Sequence, residues 1–293
     1  MSLTELAAMR QAIALAALRV GATAPNPPVG CLILSPDDGT VLGAGYHARK
    51  LEPHAEVNAL QAAGSRARGA TAVVTLEPCC HVGATPACHQ ALIDAGIARV
   101  VVALEDPTSR GQGGIELLRQ AGLDVVVGIR ADEAQLLLVP WLHSLERNRP
   151  FLIAGISNPN DERARTQLRD WVAPGVDLII DEHGHTSEAI PGRHHPDVLQ
   201  LPSQALPRDP EDAVMVLSKT GARRALILTD NPDLRCSALI AGGWIDQLIV
   251  VTRDPEEPSL AQVKDMASVV PEDWILTAIT PVPGGILTQY QPS

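Results

Sequence analysis

Three short β-branched runs, "TAVVTL" (71–76), "RVVVALED" (99–106) and "DVVVGI" (124–129), recur at intervals that leave room for one helix between each pair. Helical patterns near 86–96 and 111–121 fill those intervals, and strands joined this way run parallel with the helices packed on the sheet. Ahead of them come a helix-like segment at about 4–20, the runs "VGCLIL" (29–34) and "TVLGAGY" (40–46), and a helix opening at Pro53 or His54; another helix begins at about 131. Past "LERNRP" (145–150) the same kind of signal returns more loosely, in "VDLIID" (176–181), "RALILTD" (224–230) and "DQLIVVTRD" (246–254). A Pro- and His-rich stretch, "IPGRHHPDVLQLPSQALPRDPED", lies between the first two of these. The reading is two α/β domains, 1–147 and 148–293, each long enough to bury its own core. In such domains the loops after the strands carry the ligand.

Charge narrows the class of ligand. Residues 1–149 hold 12 Lys+Arg against 14 Asp+Glu, a balance of −2; residues 150–293 hold 11 against 20, a balance of −9, and together these make the net −11. Neither half has the basic footprint of a nucleic-acid binder, and one Phe with two Tyr leaves few stacking platforms. The expected partner is a small molecule, with no nucleic acid and no membrane, since no apolar run approaches the roughly 18 residues of a span. Glu5, Arg10 and Arg19 break the first apolar helix, which lacks a small-residue cleavage site, so a cytoplasmic protein without signal peptide is expected. Five cysteines, an odd number, then point to thiols or metal ligands rather than disulfides.

Two strand-to-helix junctions carry the chemistry. "PHAEVNAL" (53–60) puts His54 two residues before Glu56, and "TLEPCCHVGATPACHQALIDAG" (75–96) supplies Cys79 in a loop and Cys88 at a helix start. One imidazole and two thiolates are three ligands for tetrahedral Zn2+, with the fourth position left open, which is a catalytic pattern. Water at such a metal ionises near neutral pH, and a carboxylate that is not a ligand can carry protons between it and the substrate. Glu56 has that place. Cys31, in an apolar run, reads as a small core residue, and Cys80, adjacent to Cys79, is left out of the ligand set.

The stretches "TAPNPPVGCLI" (23–33), "GAGYH" (43–47), "PHAEVNAL", "GATAVVTLEPCCHVGATPAC" (69–88), "ALIDAGIARVVVALEDP" (91–107) and "AGLDVVVGI" (121–129) follow one another through the first half. Together they resemble the deaminase domain of the bifunctional riboflavin biosynthesis deaminase/reductase, the RibD family. The resemblance implies a three-layer α/β/α cytidine-deaminase-like domain followed by a second, truncated α/β reductase-like domain. It also implies zinc-dependent removal of the exocyclic amino group of the diaminopyrimidinone ribosylamino 5'-phosphate, with Asn26, His47 and His81 lining the pocket. The resemblance further implies a homodimer or higher homo-oligomer.

Two departures from the family pattern stand out. Where the family has a basic side chain after His81 and Gly83, this chain has Ala84; Arg49, Lys50 or backbone N–H groups could hold the phosphate instead, or the substrate could be another amino-substituted pyrimidine or purine. In the second half the family's Lys-containing strand and Ser-Leu-Asp-Gly turn give way to "NPNDERARTQL", and its acidic Gly-Gly loop to "TDNPDL" (229–234). Asn231 and Pro232 do not admit a dinucleotide to the backbone, and Asp230 and Asp233 repel phosphate. No NADPH-binding residues are therefore expected, nor reductase activity; a separate reductase would complete the pathway and this domain would be structural. A non-catalytic binding protein is the remaining alternative, opposed by the presence of Glu56 with all three ligands. The histidines "HGH" (183–185) and "HH" (194–195) read as a solvated loop, and Cys236 as a helix core residue.

Overall fold

The computed structural model describes residues 3–81, 87–157, 161–229, 234–253, 270–283 and 285–293. These form two compact units, Met1–Val139 and Pro140–Ser293. The division falls inside a helix that ends at Glu146, one residue before the boundary read at 147/148.

In the first unit, α1 (Leu3–Ala17) precedes the hairpin β1 (Gly30–Leu34) and β2 (Val41–Tyr46), followed by α2 (Ala55–Ala63) and β3 (Thr71–Leu76). Then come α3 (Cys88–Asp94), β4 (Arg99–Leu104), α4 (Gly114–Gln120), β5 (Asp124–Val127) and α5 (Ala131–Glu146). The sheet order is β2-β1-β3-β4-β5, with β3, β4 and β5 parallel and β1 antiparallel to both its neighbours. Side chains alternate across it, as the pleat requires. Cys31, Ile33, Ala72, Val74, Val100 and Val102 pack with residues of α2, α3 and α4, while Leu32, Leu34, Val73, Val101 and Ala103 pack with Ala8, Met9 and Ala12 of α1 and Ala134 of α5. The result is a three-layer α/β/α domain.

One close approach sets the position of α2. A Cβ on Gly45 of β2 would stand 2.4 Å from both the Ala55 carbonyl and the Ala59 nitrogen. The helix therefore rests directly on the strand backbone, and its three buried alanines, Ala55, Ala59 and Ala63, repeat at the same spacing. This brings the start of α2 against the end of β2.

The second unit is a second α/β domain, built on a seven-stranded sheet of order β11-β12-β10-β6-β9-β7-β8. Its parallel centre is β10 (Gln247–Arg253), β6 (Phe151–Ile156), β9 (Arg224–Thr229) and β7 (Leu178–Ile180); β8 (Thr186–Glu188) and the hairpin β11 (Trp274–Val282) with β12 (Gly285–Pro292) are antiparallel additions. Helices α7 (Pro210–Ser218) and α8 (Leu234–Ala241) help bury one face, and α6 (Glu162–Val172) the other. Cys236 is buried in α8, as read from the sequence. Pro281 is accommodated because β11 is an edge strand.

The histidine-rich stretch is not uniformly solvated, which corrects the sequence reading. His183 and His185 are exposed, but the His194 side chain is only 3% exposed, with Nε2 at 3.0 Å from Asp177 Oδ1 and Nδ1 at 2.8 Å from Glu188 Oε1. Asp177 Oδ2 in turn accepts the N–H groups of Arg223 and Arg224 at the start of β9. Burial opposes a charge on His194, but the hydrogen bond and charge of Asp177, then those of Glu188, outweigh it and raise the pKa. With a folded pKa above the unfolded value of about 6.5, the clamp contributes fully below that pH and its stabilisation is lost as pH rises through the folded value. The thermal midpoint should accordingly fall over that range, and His194→Gln should flatten the slope. An unchanged slope in that variant would show that another group carries it.

Candidate functional site

The ends of β2 and β3 and the starts of α2 and α3 converge. His54 caps α2 in extended backbone geometry, with φ −72° and ψ 166°. Its Nδ1 stands 3.2 Å from Cys88 Sγ and 3.7 Å from Cys79 Sγ, and the N–H of Cys88 donates to Cys79 Sγ at 3.5 Å. Among the described residues, His54, Cys79 and Cys88 form a group whose donor atoms all lie within 4.8 Å of one another. One nitrogen and two sulfurs converging on a common point suit a soft, tetrahedral cation such as zinc. Cys80 is directed elsewhere: its Sγ donates to the Gln112 carbonyl at 2.9 Å.

The electrostatics of the group are uneven. A hydrogen bond from Cys88 lowers Cys79 to about 4, and the same bond, with burial, raises Cys88. The hydrogen bond to Cys79 raises His54. Glu56, in the first turn of α2, is 3% exposed, and burial pushes its carboxyl up to about 7. A carboxyl at that value is poised both to give and to take a proton near neutrality.

His47, just past β2, is 2% exposed and lies edge-on to His54 with ring centroids 5.0 Å apart. Burial, then the His54 charge, lowers its pKa to about 4, so the ring is neutral at physiological pH. The Pro53 carbonyl, 3.2 Å from Nδ1, can only accept, which puts the proton on Nδ1 and makes Nε2 an acceptor. Asn26 Nδ2, 3.1 Å away, donates to that Nε2, so this bond engages the amide nitrogen of Asn26 and not its carbonyl oxygen. His81 is fixed by a 2.7 Å hydrogen bond from Nδ1 to the Arg110 carbonyl. Ala84 and most of "TDNPDL", residues 230–233, lie outside the described residues.

Several supporting residues escaped the sequence reading. Asn58 donates through Nδ2 to the Tyr46 carbonyl at 2.9 Å and to the Pro53 carbonyl at 3.3 Å, tying α2 to β2. His89 gives its backbone N–H, at 3.3 Å, and its Nδ1, at 3.2 Å, to the Cys79 carbonyl. Glu77, 7% exposed at the end of β3, accepts the backbone N–H groups of Asp106, Gly113 and Ile115. Asn58 lies in "PHAEVNAL", and Glu77 and His89 in "TLEPCCHVGATPACHQALIDAG", but nothing local in either stretch marks the groups they bond.

Comparison with known proteins adds four findings. Residues 3–104 match the cytidine and deoxycytidylate deaminase zinc-binding region. Riboflavin biosynthesis protein RibD of Escherichia coli K12 is 48% identical over 145 residues, 49% of this chain and 39% of that protein, so the chain spans about two fifths of that relative. RibD of Actinobacillus pleuropneumoniae is 33% identical over 275 residues, covering 86% of this chain and 72% of that one. A solved Thermotoga maritima diaminohydroxyphosphoribosylaminopyrimidine deaminase/5-amino-6-(5-phosphoribosylamino)uracil reductase shares the fold, with TM-score 0.77, 99% of each chain covered and 20% identity.

Proposed function

Because this chain belongs to the RibD family, we propose that it is a zinc-dependent hydrolase that deaminates the diaminopyrimidinone ribosylamino 5'-phosphate of riboflavin biosynthesis and carries out no reduction. The observation that carries the reading is the convergence of His54 Nδ1 and the Cys79 and Cys88 sulfurs beside the buried carboxyl of Glu56. These three side chains would hold zinc, which supplies the Lewis acidity that lets water ionise near neutral pH. Glu56 takes one proton from the attacking water and delivers it to the ring nitrogen, then takes the second from the hydroxyl now bound to the ring carbon and delivers it to the amino group, which departs as ammonia as the carbonyl forms. Burial that sets its carboxyl near neutrality suits both directions of transfer. Neutral His47 orients Asn26, and the Asn26 carbonyl oxygen accepts from the substrate's ring or amino N–H. His81 forms another wall of the pocket.

The second unit keeps the fold, and the loss of reduction is inferred from residues 229–234 and from the absent Lys-strand and Ser-Leu-Asp-Gly turn. Its role in this reading is structural, in self-association to a homodimer or larger homo-oligomer, with a separate reductase acting next. Ala84 favours one second reading, a deaminase of another amino-substituted pyrimidine or purine. Mass spectrometry of products from freshly generated substrate, with the zinc-loaded protein and with or without NADPH, separates the two. Amino-to-oxo conversion in both cases with an unreduced ribose is expected. Reduced product would overturn the structural role of the second unit, and no conversion by zinc-loaded protein would leave the second reading.

A further inference from the structure

Glu77 is a buried acid that the reaction itself does not use. Its backbone N–H pairs with the Leu104 carbonyl at 2.8 Å, which places it level with the end of β4. From there the carboxylate reaches the loop between β4 and α4: Oε2 accepts from Asp106 N–H at 3.1 Å, and Oε1 accepts from Gly113 and Ile115 N–H at 2.9 and 3.0 Å. A carboxylate only 7% exposed is costly to bury, and three backbone donors meet that cost with charge-assisted hydrogen bonds. The loop it holds is also the one that touches the turn after Cys79. Gln112 accepts from Cys80 Sγ at 2.9 Å, Arg110 accepts from His81 Nδ1 at 2.7 Å, and a Cβ on Gly114 would come within 1.8 Å of the Pro78 carbonyl. Residues 77–81 and 106–115 are thus tied at Glu77, Cys80 and His81 and packed closely at Pro78, and among these ties Glu77 brings the negative charge. From the opposite side His89 holds the Cys79 carbonyl twice.

We propose that Glu77 is a positioning residue, which acts through the backbone of residues 106–115 to hold Cys79 in place for the metal and His81 in place for the substrate. The second half of this statement rests on the deaminase reading; the first does not. In Glu77→Gln the amide oxygen can keep Gly113 and Ile115, but the amide NH2 group then faces the N–H of Asp106, donor against donor. The loop loosens there.

The test is zinc loss to a chelator, followed in the wild-type protein and in Glu77→Gln, alongside KM and kcat. Outer-shell partners of metal ligands commonly change affinity by about 10–100-fold, so zinc loss should be about tenfold faster. Where turnover is measurable, KM should rise by a similar factor with kcat nearly unchanged. A lowered thermal midpoint with zinc loss at the wild-type rate would reduce Glu77 to a structural residue and overturn the proposal. Because the chelator assay needs no substrate, it stands if the deaminase reading fails. Should Glu77→Gln fail to fold, Glu77→Asp, which keeps the charge but draws it back by one methylene from its three N–H partners, should still speed zinc loss by about threefold; an unchanged rate there overturns the proposal equally.

Discussion

Glu56→Gln should keep its zinc and lose about a thousandfold in turnover, about 4 kcal/mol of barrier. The substitution is nearly isosteric, so the site it leaves is shaped as before. The amide cannot carry a proton, and in the proposed reaction Glu56 moves protons in more than one step. Burial makes the effect specific: the carboxyl is 3% exposed and held up to about 7, so no bulk water stands in for it efficiently. Metal content and turnover, measured on one preparation, decide the matter. Full zinc with wild-type turnover would remove Glu56 from the reaction. Loss of zinc would instead make it part of the metal's own environment.

Cys88→Ala should empty the site, from about one zinc per chain to almost none, since a three-donor site reduced to two does not hold the ion against dilution. Cys88 is fully buried at the first position of α3, with its sulfur 3.2 Å from His54 Nδ1. The domain should also lose the stabilisation that bound metal confers, so that added zinc no longer raises the thermal midpoint. Cys80→Ala, one residue from the other thiol, should still bind one zinc per chain, because its sulfur bonds the Gln112 carbonyl. Stoichiometric zinc in Cys88→Ala would overturn the ligand set.

Legibility followed the range of the interactions. Runs such as "TAVVTL" and "RVVVAL" were readable as strands because β-branched residues fit a pleated, buried surface, and β3 and β4 begin at the residues read. "FLIAGI", the central strand β6, was passed over although it is as buried as β3 and β4, because its Leu, Ala and Gly leave fewer of the β-branched residues by which those strands were read. The β11–β12 hairpin was missed too, since Pro281 and Pro283 interrupt its pattern and its edge position is known only once the sheet is assembled. His194 looked like its loop neighbours; Asp177, 17 positions away, bonds its Nε2 and favours its charged form.

The sequence by itself determined the donor chemistry: an imidazole, two thiols and an acid at strand-to-helix junctions, with the family that such spacing marks. Only the tertiary structure decided that those donors meet within 4.8 Å, that Glu56 is buried beside them, and that Glu77 bonds N–H groups up to 38 positions away. The division has one cause. Residue type and periodicity are written in neighbouring positions, whereas burial, and with it the local dielectric that sets a carboxyl near 7 or keeps an imidazole neutral, is a property of contacts between segments far apart in the chain.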